Sequence, residues 1–581
     1  MLPKFRKNSI LLCSTTAMAA VLFAAPARAD ALSDMERQIH AMQAQLAKMK
    51  KEHDVEMKRI HTQLAEQRES EERNPYAARN NARNHSYTMP PPLATASSYG
   101  NSTLDMPSAP VRLPAITANT PYAQLTGTPT GKVLDLYGPL HRGQIQIGGV
   151  RITLGGYLES AGIFRSRNNV SDISSNFGTI PFANSPNYHM NEYHQTERQS
   201  RLAALVEGDI TKTLRAQGYI ETDFQGAGAS SNSRQSNSYV LRSRVFYGQL
   251  IDDANDWTVL GGQNWSLVTL YNHGLAARDE QVPLVIEAQY VPGFNWTRNT
   301  QVRVVKGFDH GHYHIAASIE NPQQVIAAGS GGVYLPPGAK TSTYQNAGVN
   351  VNNPSTNYST DVAPDVIAKF AADPGWGHYE VYGLLRFPHS RVSYVGYGRS
   401  HTTVAGGVGG GMVLPLIDKK LYFQASGLVG TGVGRYGSAN IPDVTMGPNG
   451  QIRPVNNANA LAGIYGNPSK SWQLYAYGGM EMVRNRSSFD VNGKAYGYGN
   501  PLYEVGGCAV EESPLACQAS VNKVVQGTTG FWWTAEHGDY GTIKVGAQYS
   551  YTYLTSFSGV GGHPHTDDNM VFFSLRYMPF Q

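Results

Sequence analysis

The chain has 581 residues, of which only 15% are charged, while Gly (61) and Tyr (34) are abundant; ordinary soluble domains carry roughly 25% charge. Its net charge of +4 resides in the first 29 residues, where Lys4, Arg6, Lys7 and Arg28 stand with no acid. Without them the 47 basic residues fall to the 43 acidic ones. A neutral chain with no basic stripe excludes the nucleic-acid-binding class, and no run of about 18 apolar residues follows position 29 to make a transmembrane helix.

Residues 1–29 read as an export signal. Lys4, Arg6 and Lys7 form the positive end, Ile10 to Ala25 is apolar or small, and Ala27-Arg28-Ala29 fits the small-x-small cleavage rule. The mature chain is expected to begin at Asp30. Leu12 precedes Cys13 where lipid attachment needs a small residue, so no lipid anchor is expected.

Residues 30–73 read as a periplasmic coiled coil. Leu32, Met35, Ile39, Met42, Leu46 and Met49 alternate spacings of three and four, an a/d seam. His53, Met57, Ile60 and Leu64 continue it after a four-residue stutter, which locally unwinds a supercoil. A seam of this length needs partner helices, so an oligomer is implied, with the strand number left open. Residues 74–140 read as a linker, because Pro75, Pro90, Pro91, Pro92, Pro107, Pro110, Pro114, Pro121 and Pro129 forbid a helix.

From about Gln144 the hydrophobic period becomes two, the sign of half-buried strands. In Leu214–Phe224, Arg215, Gln217, Tyr219, Glu221 and Asp223 share one face, and Leu214, Ala216, Gly218, Ile220 and Phe224 the other. Tyr157, Glu159 and Arg165 oppose Leu154, Leu158 and Phe164; Arg201 and Glu207 oppose Leu202, Ala204 and Val206; Ser574 and Arg576 oppose Val571, Phe573, Leu575 and Tyr577. Lipid explains the segregation: Arg costs about 2–4 kcal/mol toward the bilayer midplane and stays wet toward a lumen. The expected fold is an all-β transmembrane barrel, preceded by the helical coil, with the barrel over residues 141–581. That length allows about 27 residues per strand and loop for 16 antiparallel strands, and 14 or 18 would also fit.

Within this region Cys508 and Cys517 are the two thiols left after signal removal, and export makes a disulfide their expected state. The stretch Asn264–Asn299 is long for a strand connection. It mixes apolar segments with Pro283, Pro292, Arg278, Asp279, Glu280 and Arg298; a loop folded into the lumen and a loop standing out in the medium both look like this. His310, His312 and His314 alternate, and a turn or wet rim fits them better than a metal site. His563 and His565 read the same way. The Gly406–Gly411 cluster lacks the strand–turn–helix context of a nucleotide site. Gly430, Gly432 and Gly434 share one strand face, marking close backbone approach or barrel curvature. No nucleophile–base constellation stands out, so no enzyme activity, cofactor or metal is expected.

The run Leu214 to Phe224, Gly262-Gln263-Asn264-Trp265-Ser266, Ser318-Ile319-Glu320-Asn321-Pro322, Pro364 to Lys369, Leu385-Arg386, Gly430 to Tyr436 and the close Ser574 to Phe580 resemble, in this order, the DcaP-like outer-membrane porins. The resemblance spans nearly the whole mature chain. It implies a 16-stranded homotrimeric porin with periplasmic coils, associated with small anions such as dicarboxylates. One departure is that Gln581 follows the terminal aromatic Phe580, and Pro579 breaks the alternation.

The candidate lumen residues are Arg201, Arg215, Glu221, Asp223, Arg242, Arg244, Arg303, Arg386, Arg435 and Arg576, each assigned to the polar side of its strand. Arginine suits anion passage because it is always charged and holds carboxylates bidentately. The acids fix those side chains and offset part of their field. Two rival readings are a sugar channel, marked by aromatic residues along one lumen face, and a structural protein tethering the outer membrane to the cell wall through the coil. Conductance of the purified protein separates the tether from both channels.

Overall fold

The computed structural model describes residues 140–229, 237, 239–343, 358–417 and 420–581, with Lys51, Lys58 and Thr62, which are helical. Apart from those three, the expected signal, coil and linker up to 139 lie outside the described residues.

Sixteen strands form the wall. They are β1 (Val150–Arg165), β2 (Arg201–Asp209), β3 (Leu214–Ala229), β4 (Tyr239–Asp252), β5 (Trp257–Trp265), β6 (Arg298–Phe308), β7 (Tyr313–Glu320) and β8 (Asp365–Ala372). They continue as β9 (His378–Arg386), β10 (Ala405–Ile417), β11 (Leu421–Thr431), β12 (Asn456–Gly466), β13 (Trp472–Val483), β14 (Val521–Gly538), β15 (Gly541–Ser556) and β16 (His565–Met578). Each pairs antiparallel with the next, and β16 returns to β1, with Glu159 opposite Arg576 and Gly162 opposite Phe573. Two shorter strands, Gln144–Ile147 and Glu192–Thr196, pair only along β1 and bring the sheet to 18. Closure matters because an open edge in lipid would leave unpaired N–H and C=O groups.

The period-two segregation has the sense read from the sequence. Leu202 on β2 is 53% exposed and faces outward, while its neighbour Arg201 is 3% exposed and faces in. Val302 and Arg303 on β6, and Leu575 and Arg576 on β16, divide in the same way. On β4 the alternation breaks. Glu221 pairs with Val245 and Thr222 with Ser243, so Arg244 is an extra residue. This bulge turns both Arg244 and Val245 inward, where strict alternation would send one to the lipid.

Short turns join β2 to β3, β4 to β5 and onward around one end, which also holds the C-terminus. There Arg142 donates to the carbonyls of Gly538 at 2.6 Å and Gln581 at 3.2 Å. Exposed Trp257, Phe308, Tyr313, Trp376, Trp472, Trp533, Tyr540 and Tyr577 ring the wall at this end, as an aromatic girdle does at a membrane interface. Pro579 lies beyond the last residue of β16, so its missing N–H interrupts no pairing. Long loops occupy the other end. In one of them, 484–520, a hairpin pairs Ser487–Val491 with Lys494–Tyr498, and Cys508 is bonded to Cys517 with Cα atoms 4.6 Å apart.

Candidate pore and its constriction

The connection between β5 and β6, residues 266–297, runs inside the barrel. Leu267, Val268, Leu270, Tyr271, Val282, Leu284, Ile286, Val291 and Phe294 are all buried there. Standing out in water, the loop would expose these side chains, each worth about 1.5–3 kcal/mol on burial. The wall has a complementary surface. Leu270 packs on Gly411, where an added Cβ would lie 2.6 Å from its Cδ1. Gly293 adopts φ +97, and a Cβ there would collide with the Ala460 carbonyl. Gly411 of β10 therefore leaves room for Leu270 of the inner loop.

Polar contacts fix its path. Leu267 N–H donates to Glu320 at 2.9 Å, Lys369 Nζ to the Thr269 carbonyl at 2.8 Å, and Tyr271 N–H to Glu380 at 3.1 Å. The chain then turns back as a hairpin, with Asn272 N–H on the Asp279 carbonyl and Gln281 N–H on Leu270. It crosses to the opposite wall. Gln281 bonds Gln424 at 2.9 Å, Trp532 Nε1 donates to the Leu284 carbonyl at 2.8 Å, and Ile286 N–H donates to Gln548 at 2.6 Å. Gly293 N–H ends the crossing on Glu481 at 2.8 Å. Arg278 (φ +79) and Tyr290 (φ +66) adopt left-handed backbone that disfavours their side chains, so the surrounding contacts enforce this course.

Between the hairpin and the wall of β3 and β4 lies a cavity of about 10 Å³, lined by Tyr219, Glu221, Val245, Asn264, Trp265, Arg278 and Glu280, room for about one water.

The sequence-derived residues divide by what they touch. On β2 to β4, Arg244 bonds Glu221 at 2.6 Å and Asp223 at 2.8 Å, Arg242 reaches Asp223 at 2.7 Å, and Arg201 lies 3.7 Å from Glu221. Three guanidinium groups thus share two carboxylates. Arg576 forms an ion pair with Glu159 at 3.1 Å across the closing seam, with its guanidinium over the rings of Tyr157 and Trp532. Arg215 sits at the short-turn end, 2.9 Å from Asp253. Arg303 donates to the Tyr271 hydroxyl and the Trp265 carbonyl, so it anchors the root of the inner loop. Arg386 bonds Asp365 at 3.1 Å and Asp443 at 2.6 Å, tying β9 to the loop 432–455.

Arg435 is a correction. β11 ends at Thr431, Gly432 takes φ +70, and Arg435 lies in the 3-10 turn Gly434–Tyr436 instead of on a strand face. Gly430, Gly432 and Gly434 accordingly do not share one strand. Arg435 still points at polar groups, Asp365 at 3.4 Å and Asn299 at 2.8 Å. His310 stands in the turn before β7 at φ +55, apart from His314, which lies 3.8 Å from Asp373.

Sequence reasoning missed several charged inward residues. Lys369 and Glu380 form a buried pair at 2.7 Å. Lys544 faces Arg576 across β15 and β16 and has no hydrogen-bond or ion-pair partner among the described residues. Alternation around Gly546, Gln548 and Ser550 on β15 could have placed Lys544. Nothing local could have shown that Glu481 receives a loop nearly 190 positions away.

A closed ring of 16 antiparallel strands, with short turns at one end, long loops at the other and one loop folded within, is a transmembrane β-barrel with the outer-membrane porin fold. No protein-family model matches the sequence, and no curated protein matches it. Among solved structures it is similar to the outer-membrane channel DcaP of Acinetobacter baumannii, with TM-score 0.52 and 16% identity over 76% of this chain and 100% of that one. It also matches an anion-selective porin from Comamonas acidovorans (TM-score 0.39, 10% identity, 74% and 99% coverage) and Salmonella typhi OmpF in complex with daunomycin (0.38, 9%, 75% and 99%). At these identities the likeness is one of fold.

Proposed function

We propose that the barrel is an outer-membrane channel for passive diffusion of small hydrophilic solutes, with a preference for small anions such as dicarboxylates. The observation that carries this reading is the inner loop, which crosses the lumen and is tied to wall residues on both sides. On that wall Lys544 and Arg576 are opposed like charges, and only Arg576 has a carboxylate, Glu159. A carboxylate brought within about 4 Å of Lys544 gains roughly 4 kcal/mol at an effective dielectric of 20, before its own desolvation. Three wall aromatics that a sugar track could use are engaged by the inner loop: Tyr477 and Trp532 hold Leu284, and Tyr475 bonds Gln548, which accepts the Ile286 N–H.

The same reading takes the 30–73 segment as the periplasmic coil of a homotrimer, placed to meet the cell wall. Reversal potentials across planar bilayers under a salt gradient test selectivity. Anion preference that is weakened or reversed in Lys544→Glu supports the proposal. Cation preference in the unaltered protein overturns the anion part, and absence of conductance overturns the channel itself. Chemical cross-linking of the full chain, with and without residues 30–73, reports the trimer.

A further inference from the structure

The tip of the inner loop rests on a cluster of imidazoles and carboxylates that the channel reading does not by itself require. His378, the first residue of β9, is 2% exposed and bonded through both ring nitrogens: Nδ1 lies 2.9 Å from Asp373 and Nε2 lies 3.3 Å from Glu380. Those two carboxylates also hold the loop backbone. Asp373 accepts the Gly274 N–H at 3.0 Å, and Glu380 accepts the Tyr271 N–H at 3.1 Å.

A neutral imidazole has one N–H, and its other nitrogen presents a lone pair. Neutral His378 would therefore set a lone pair against one carboxylate in a buried site, whereas the imidazolium satisfies both. The other charged and titratable neighbours do not replace it. Lys369 engages Glu380 at 2.7 Å, leaving Asp373 to the histidines. His273, on the loop tip, bonds Asp373 at 2.8 Å but is largely exposed, so solvent screens its contribution. His312 bonds the Asp373 carbonyl, and His314 stands 3.8 Å from its carboxylate. Asp279 and Glu280 of the hairpin, Asp256 near His314 and Arg303 near Lys369 complete the surroundings.

We propose that His378 is a positioning residue whose imidazolium joins Asp373 to Glu380 and so holds the tip of the inner loop, making the width of the pore depend on pH. Protonated, it keeps Tyr271 and Gly274 docked. Loss of its proton drives the carboxylates apart and frees the tip. This inference rests on the channel reading, and its test separates the two.

Single-channel recordings from pH 5.5 to 8.5 compare the unaltered protein with His378→Gln, whose amide can donate hydrogen bonds but cannot titrate. Conductance or open-state noise rises with pH in the first, and that rise is smaller in His378→Gln. Protection of the Tyr271 and Gly274 amides against hydrogen exchange is measured in parallel in detergent. It falls roughly tenfold for each pH unit through the titration and falls less steeply in His378→Gln, where His273 still titrates. A protection profile that is flat in the unaltered protein, or unchanged by His378→Gln, overturns the proposal. pH-dependent protection without conductance at any pH upholds the docking switch and overturns the channel reading.

Discussion

Glu481 on β13 and Gly293 in the inner loop are joined by a hydrogen bond of 2.8 Å, and the same carboxylate takes the Ala439 N–H at 2.9 Å. One wall side chain thus fastens both the inner loop and the loop 432–455. Glu481→Leu leaves two buried N–H groups without an acceptor, at about 1–3 kcal/mol each. The far limb of the inner loop is expected to loosen, giving larger and noisier single-channel conductance with the barrel still folded. Conductance indistinguishable from that of the unaltered protein would show that the remaining contacts suffice.

Arg386 is held by Asp365 and Asp443, all three buried. Arg386→Leu removes the cation that forms an ion pair with Asp443 among the described residues, and Arg435 remains 3.4 Å from Asp365. Breaking one side of such a buried set costs about 3–5 kcal/mol. Thermal unfolding followed by loss of β-sheet circular dichroism should shift down accordingly, and Arg435→Ala should shift it less. Equal shifts would contradict the assignment of the main anchoring role to Arg386.

The Cys508–Cys517 bond closes a short loop within 484–520. By chain entropy such a loop contributes about 2–3 kcal/mol. Cys508→Ser with Cys517→Ser should make this loop sensitive to limited proteolysis while barrel melting stays within about 0.5 kcal/mol. Digestion at an unaltered rate would mean that the surrounding packing holds the loop unaided.

The hydrogen bond to Asp373 raises the His273 imidazole above its ordinary value. Burial by itself would raise Asp373, but the bonds from His273 and His378 overcome it and hold that carboxyl well below the usual range. Because the docked tip binds the His273 proton more tightly than the free tip, this contribution is complete below about pH 6.5 and is lost as pH rises through the raised value. The thiol-labelling rate of Ala276→Cys, referred to the same variant carrying His273→Gln, should rise across that window. A constant ratio would remove His273 from the clamp.

Much of the barrel was legible in the sequence because each strand solves a local problem. Tyr219, Glu221 and Asp223 must face one way and Ile220 the other, since lipid tolerates no charge at depth. Arg244 shows where that rule stops: its bulge depends on the register between β3 and β4, which alternation within β4 does not carry. Arg435 shows a second stop, because the φ of Gly432 ends the strand one step before the apparent pattern does.

By itself the sequence determined which faces meet lipid and that Arg201 and Arg576 turn away from it; that 266–297 folds inward was left to the structure. Only the tertiary structure decided what those charges touch. Glu481 meets Gly293, Arg303 meets Tyr271, and His378 meets two carboxylates, because ring closure brings distant strands around one enclosed loop. Such contacts depend on the three-dimensional register of the whole wall, and no local period encodes that.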